Sequence, residues 1–87
     1  MESLEIMEIL DNLGYDHHKK GQYDKAVACY HGAILARESV VGATTPDSEM
    51  ATLLYYLAYA YEGQNKLAKA RDLKQQARNM WTKLGRG

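Results

Sequence analysis

An internal repeat constrains the fold of this chain more than any other feature of its sequence. The segment LDNLGYDHHKKGQYDKAVACYHGA, which begins at Leu10, aligns without a gap with LYYLAYAYEGQNKLAKARDLKQQA, which begins 44 positions later at Leu54. The matched pairs include Leu13 with Leu57, Gly14 with Ala58, His17 with Tyr61, Tyr23 with Leu67, Ala26 with Ala70 and Ala33 with Ala77. Because a unit this short cannot bury its own apolar face, the two copies are expected to stack against each other.

Apolar residues recur at helical spacing through nearly the whole chain. The four stripes are Leu4, Met7, Leu10, Leu13 and His17; Tyr23, Val27, Tyr30, Ile34 and Val41; Met50, Leu54, Leu57, Ala58 and Tyr61; and Leu67, Ala70, Leu73, Ala77, Met80, Trp81 and Leu84. No segment alternates apolar and polar residues for long enough to indicate a β-strand. The sequence therefore predicts an all-α fold of four antiparallel helices, two in each unit.

Glycine, asparagine and proline mark the predicted ends of the helices. Gly21 and Asn65 occupy equivalent positions in the two units, and both residue types tolerate the left-handed backbone of a helix-ending turn. Gly42 ends the second helix, and Thr45 with Pro46 forms a predicted N-cap and first helical position. The expected organisation is one domain over residues 1–87, with hairpin one at 2–41, a linker at 42–45 and hairpin two at 46–84.

The charge and cysteine content narrow the classes of partner. Eleven basic residues balance eleven acidic ones, so no long-range field favours nucleic acid or an anionic membrane. Cys29 is the single cysteine and cannot form an internal disulfide, and the sequence shows no signal-like leader or membrane-length apolar run. We therefore expect a cytoplasmic protein that binds neither nucleic acid nor membranes.

The spacing of apolar and small residues follows a recognisable pattern. The first unit reads L-x2-L-G-x2-H from Leu10, followed by Ala26-x3-Tyr30, and the second reads L-x2-L-A-x2-Y from Leu54, followed by Ala70-x3-Lys74. This resembles the tetratricopeptide repeat (TPR) pattern W-x2-L-G-x2-Y followed by A-x3-F. The resemblance implies two TPR-like helical hairpins, a fragment of a right-handed α-solenoid, that serve as a protein-binding adaptor.

The length of the repeat indicates a subtype within that family. An offset of 44 residues exceeds the usual spacing of about 34. Arg37-Glu38 precedes a linker that reads Gly42-x3-Pro46. This arrangement is similar to the long-repeat subtype of kinesin light chains, in which an arginine-glutamate pair precedes a Gly-x-x-x-Pro linker.

The histidines and the cysteine do not form a catalytic or metal-binding pattern. His17 and His18 are adjacent on a helix, where neighbouring side chains diverge by about 100°, so they cannot chelate one metal together. His17 takes the position of Tyr61 and is expected to be packed and hydrogen bonded within its hairpin. No residue in the pattern would orient the thiol of Cys29 for catalysis, so we expect it to be a small core residue. We predict no enzymatic activity, no cofactor and no metal.

Most of the seven tyrosines fall on the first helix of a unit, and in stacked hairpins these helices line the concave side. We predict a partner-binding stripe there, made of Asp11, Asn12, Tyr15, His18, Tyr55, Tyr56, Tyr59 and Glu62. Aromatic rings with polar tips suit the binding of a peptide. Alternatively, the tyrosines only fill the space between hairpins, as we expect for Tyr30 and Tyr61. TPR grooves that grip C-terminal carboxylates use lysine and asparagine on this stripe, so the resemblance disfavours an acidic tail as ligand.

The first and last of the four predicted helices carry apolar residues that no other helix is expected to bury. We predict oligomerisation, as a homodimer or by docking on another chain, through one of two sets: Ile6 and Ile9, or Met80, Trp81 and Leu84. The alternative is that the last helix folds back and Trp81 covers the first hairpin.

The predicted function is an adaptor for a peptide or helix. A self-assembling structural domain and a fragment of a longer solenoid are the alternatives. Lys74 and Arg78 stand where the first unit has Tyr30 and Ile34, which suits a capped end that meets water.

Overall fold

The computed structural model describes residues 3–42 and 45–86 and contains four α-helices in that part of the chain. They are α1 (Ser3–Lys19), α2 (Tyr23–Val41), α3 (Ser48–Gly63) and α4 (Leu67–Arg86). Helix α1 packs against α2 and α3 against α4, and the resulting hairpins stack through α2 and α3. The predicted all-α architecture of two helical hairpins is confirmed. The predicted hairpin start at residue 2 and the linker residues 43 and 44 lie outside the described residues.

Equivalent turns close the two hairpins. Gly21 has φ +76° and Asn65 has φ 62°, as predicted from their residue types. In the first turn the N–H of Gln22 donates to the carbonyl of His17 at 2.8 Å, and in the second the N–H of Lys66 donates to that of Tyr61 at 2.9 Å. The left-handed residue reverses the chain and satisfies a carbonyl at the helix end, so each unit forms a tight antiparallel pair.

The start of α3 differs from the prediction. The N-cap is Asp47, not Thr45, and its carboxylate accepts the N–H of Met50 at 2.9 Å. The guanidinium of Arg37 donates to the same carboxylate from Nε at 2.8 Å and from Nη2 at 2.9 Å. These bonds lower the pKa of Asp47, with the Arg37 contact as the largest cause. Asp47 therefore caps α3 and also ties it to α2.

Small residues allow the helices to approach closely. Ala26 and Ala70 are buried at equivalent points of the two hairpins, as are Ala33 and Ala77. At Gly14 a Cβ atom would lie only 2.8 Å from the ring of Tyr30, so that ring packs directly on the backbone of α1. The repeat pairs seen in the sequence are thus points of close helix contact.

Four leucines of the predicted apolar stripes are exposed, namely Leu4, Leu13, Leu67 and Leu84. Leu13 is the equivalent of Leu57, which is buried, and Leu67 is the equivalent of Tyr23, whose ring packs against Gly63 of the next hairpin. For Leu13 and Leu67 the prediction of burial was wrong because a residue that faces the neighbouring unit is covered only where that unit is present.

We expect Ala70→Leu to lower the free energy of unfolding by about 1–3 kcal/mol, because the added atoms have no space between α3 and α4. Urea denaturation followed by circular dichroism measures the change. Ala68→Leu is the matched control, since Ala68 is exposed on the same helix. Equal stability of the two variants would contradict the close packing at Ala70.

Candidate functional site

Five aromatic side chains from three helices enclose a groove of about 190 Å³ on one side of the molecule. We call it the tyrosine groove and define it by Tyr15 and His18 of α1, Tyr30 of α2, and Tyr56 and Tyr59 of α3. The groove crosses the junction of the two hairpins. Its shape therefore depends on the stacking of α2 on α3.

Tyr30 forms the floor of this groove. It is only 2% exposed, its ring lies against Gly14, and its centroid is 5.8 Å from that of Tyr56. The walls are open to solvent, since Tyr15 is 53% exposed and Tyr59 is 42% exposed. Sequence reasoning assigned Tyr30 to packing alone, whereas the structure places it both in the core and in the groove.

A carboxylate lies close to the floor. Burial raises the pKa of Asp11, and the nearby charge of Glu49 raises it further. The pKa of Tyr30 is also raised, first by burial and then by Asp11. Within the described residues, the side chain of Asp11 makes no hydrogen bond or ion pair. This end of the groove therefore combines negative charge with aromatic surface.

A second aromatic group adjoins the groove on α3 and α4. We call it the aromatic patch and define it by Tyr55, Tyr59 and Trp81. The ring of Tyr55 is 5.3 Å from that of Tyr59 and 5.5 Å from that of Trp81. Lys74 Nζ lies 5.0 Å from the centroid of the Tyr59 ring and donates a hydrogen bond to the carboxylate of Glu62 at 2.7 Å. The ring contact of Trp81 is thus with its own hairpin, in contrast to the alternative in which it covers the first hairpin.

The predicted stripe is divided between these two surfaces. Tyr15, His18, Tyr56 and Tyr59 line the tyrosine groove, while Tyr55 and Glu62 belong with the aromatic patch. Asp11 lies near the floor, and Asn12 is exposed on α1 outside the groove lining. Lys74 and Trp81 were not predicted for this site. Their positions in the repeat could have indicated them, because Lys74 and Trp81 of α4 are the equivalents of Tyr30 and Arg37 of α2.

His17 and His31 make side-chain hydrogen bonds, the first within its turn and the second between α2 and α3. His17 Nδ1 is 2.8 Å from Oε1 of Gln22, and His31 Nε2 is 2.9 Å from the hydroxyl of Tyr61. Across residues 3–42 and 45–86, no group of three or more His, Cys, Asp or Glu side chains could hold a metal ion. None of the described helices is long and apolar enough to cross a membrane.

Comparison with known proteins gives one match. A family model described as tetratricopeptide repeat matches residues 5–83. No curated protein and no solved structure matches the chain. The matched range includes α2 and α3, most of α1 and α4, and both aromatic surfaces.

Proposed function

Since the chain belongs to the tetratricopeptide repeat family, whose members are protein–protein interaction modules and typically not enzymes, we propose that it is an adaptor whose tyrosine groove binds a peptide or helix of a partner. The observation that carries the proposal is the exposure of Tyr15 and Tyr59 over a buried aromatic floor. Rigid rings supply contact area at a low cost in side-chain entropy, and their hydroxyl groups supply hydrogen bonds.

The charges around the groove favour a ligand with an aromatic or apolar anchor and a basic residue. Asp11 has no basic partner among the described residues, and Glu49 adds negative charge near it. The ammonium group of Lys74, which lies beside Tyr59, already donates a hydrogen bond to the carboxylate of Glu62. A basic side chain in the ligand would pair with Asp11, whereas an acidic tail would meet repulsion there.

A selection from a random peptide library, with the purified protein as bait, tests this proposal. We expect enrichment of peptides that contain an aromatic or large apolar residue and a lysine or arginine. With the best peptide, Tyr59→Ala should lower affinity about thirtyfold, or about 2 kcal/mol, as is common for a central aromatic anchor. Isothermal titration calorimetry measures the change, and circular dichroism shows whether the variant stays helical.

Leu35→Ala is the control for this experiment, because Leu35 is an exposed apolar residue of α2 outside the groove. Its affinity for the peptide should equal that of the wild type. Enrichment of acidic C-terminal sequences, or a folded Tyr59→Ala variant with unchanged affinity, would refute the proposed ligand class.

Self-association is the second proposed function. It is supported by apolar side chains exposed at the ends of the array, namely Ile6 and Ile9 on α1 and Trp81 and Leu84 on α4. Met80 is partly covered by the core, so it contributes less at the second end. A homodimer would bury one of these sets.

Two further details complete the proposal. The long-repeat, kinesin-light-chain-like subtype is supported by the role of Arg37, which holds the residue that starts the next hairpin. The cytoplasmic location is supported by Cys29, the single cysteine of the chain, because free thiols persist in reducing compartments.

A further inference from the structure

The exposed side chains of the tyrosine groove carry hydrogen-bond donors that no described residue accepts. Tyr15, Tyr56 and Tyr59 are 53%, 36% and 42% exposed, and their hydroxyl groups make no hydrogen bond within residues 3–42 and 45–86. The same holds for the indole N–H of Trp81 in the adjoining aromatic patch. A partner that covers these groups must offer acceptors to them, since a buried donor without an acceptor costs free energy.

The groove offers side chains but no free main-chain groups. Its five residues lie within α1, α2 and α3, where backbone N–H and C=O groups are paired along the helix. A partner in an extended β-conformation would find no main-chain acceptor for its own N–H groups. A partner helix has its carbonyl groups paired internally, so its backbone would offer nothing to the tyrosine hydroxyl groups. The polar tips of the groove therefore favour a ligand whose carbonyl groups are free.

We infer that this ligand is a proline-rich segment in the polyproline II conformation, with a basic residue at one end. The inference rests on the proposed binding of a peptide in the tyrosine groove and names the class of that peptide. A polyproline II segment has no internal hydrogen bonds and proline has no N–H, so such a segment offers carbonyl acceptors with few donors. Aromatic-lined grooves are also the sites at which several small domains bind such segments.

The size and lining of the groove agree with this ligand. Its volume of about 190 Å³ is below that of ordinary small-molecule pockets, which start at about 300 Å³, so it receives one or two rings rather than a whole molecule. All five lining side chains are aromatic, with none of the aliphatic groups against which an amphipathic helix buries its apolar face. A proline ring is compact and fixes φ, so it packs against these rings at a small cost in entropy.

The charges along the groove orient such a segment. Asp11 lies near the floor, and the charge of Glu49 is close to it. At the other end, Lys19 Nζ lies 5.3 Å from the centroid of the Tyr15 ring. Asp11 and Lys19 are about 12 Å apart along the axis of α1. We therefore expect the basic residue of the ligand at the Asp11 end, with the prolines over Tyr15 and Tyr59 toward the Lys19 end.

Calorimetric titration with three acetylated and amidated peptides tests the inference. The first is RPLPPLPP, the second is RALAALAA, in which alanine replaces every proline, and the third is EPLPPLPP, in which glutamate replaces arginine. We expect RPLPPLPP to bind at least about tenfold more tightly than RALAALAA, because alanine adds N–H donors and loses more conformational freedom on binding. EPLPPLPP should bind more weakly than RPLPPLPP, and Asp11→Asn should reduce that difference.

Variants that keep the rings test the hydroxyl groups. Tyr15→Phe and Tyr59→Phe should each weaken the binding of RPLPPLPP about two- to tenfold, because each removes one donor to a ligand carbonyl. Tyr61→Phe is the matched control, since that hydroxyl lies 2.9 Å from His31 Nε2 in another cleft, and its affinity should equal that of the wild type. Intermolecular NOEs between proline ring protons and the ring protons of Tyr59 measure the contact directly.

The outcomes separate this inference from the proposed function. If RALAALAA binds as tightly as RPLPPLPP, or if both groove variants keep full affinity, the polyproline assignment is refuted while peptide binding in the groove stands. The same conclusion follows if library peptides without proline bind in the groove and RPLPPLPP does not. If neither RPLPPLPP nor any library peptide binds, the inference and the proposed function are both refuted.

Discussion

Tyr30→Ala should lower the free energy of unfolding by about 3–5 kcal/mol, which is a large part of the stability of a domain of this size. Tyr30 is among the largest fully buried side chains. Its ring touches α1 at Gly14 and α3 at Tyr56. Truncation would therefore leave a cavity at the point where the two hairpins meet, and the rigid neighbours can fill only part of it.

Urea denaturation at neutral pH measures this loss, and Tyr30→Phe is the matched control. The phenylalanine keeps the ring, and the described residues offer no hydrogen bond to the Tyr30 hydroxyl, so its cost should be below about 1 kcal/mol. A loss of similar size in both variants would show that the hydroxyl, not the ring, stabilises the contact. A loss near zero for Tyr30→Ala would contradict the burial of this side chain.

Asp47→Ala should lower the free energy of unfolding by about 2–3 kcal/mol. It removes an N-cap, commonly about 1 kcal/mol, and both hydrogen bonds from Arg37 to the carboxylate, which are charge assisted. Asp47→Asn separates the two effects, because asparagine caps helices about as well as aspartate but carries no charge. We expect Asp47→Asn to have an intermediate stability, and equal losses in both variants would contradict a role for the cap.

The same carboxylate makes stability depend on pH. The Arg37 hydrogen bonds, together with the N–H of Met50, hold the pKa of Asp47 below its usual value in the folded protein. A depressed pKa in the folded state stabilises the fold above the unfolded pKa, which is about 4, and that contribution is lost as pH falls through the folded pKa. Thermal unfolding between pH 2 and 7 should therefore show a steeper acid loss in wild type than in Asp47→Asn. Parallel curves would contradict this linkage.

The local pattern of the sequence was sufficient to predict the helices and their turns. A period near 3.6 residues is a property of neighbouring side chains, and the left-handed residue at each turn, Gly21 or Asn65, depends on its own backbone. The repeat then predicted the stacking of the two units, because equivalent small residues such as Ala26 and Ala70 mark equivalent close contacts. The helices and turns follow from neighbouring residues alone, and the stacking follows from comparing the two copies of the repeat.

The candidate site was predicted only in part. Exposed tyrosines on α1 and α3 follow from the repeat, and Tyr15, Tyr56 and Tyr59 do line the tyrosine groove. The sequence did not separate Tyr55 from them. Adjacent residues of one helix point in different directions, and only the packing of the neighbouring helices determines which direction faces the groove. Tyr30 was missed as a groove residue because a side chain can be buried and still present one edge to a cavity.

The choice between Thr45 and Asp47 as the cap of α3 was made by tertiary structure. Both residues are favourable N-caps, so local propensity does not distinguish them. Arg37 binds Asp47 from another helix, ten residues earlier in the chain, and this contact sets where α3 begins.

The sequence alone shows which side chains share a face of each helix, but the packing of the helices determines which of these faces are covered. Leu13 and Leu57 occupy the same position of the repeat, yet one is exposed and the other is buried. Burial depends on the neighbour that a face meets, and the repeat pattern is the same with or without that neighbour. Helix α2 covers Leu57, and no helix of the described chain covers Leu13.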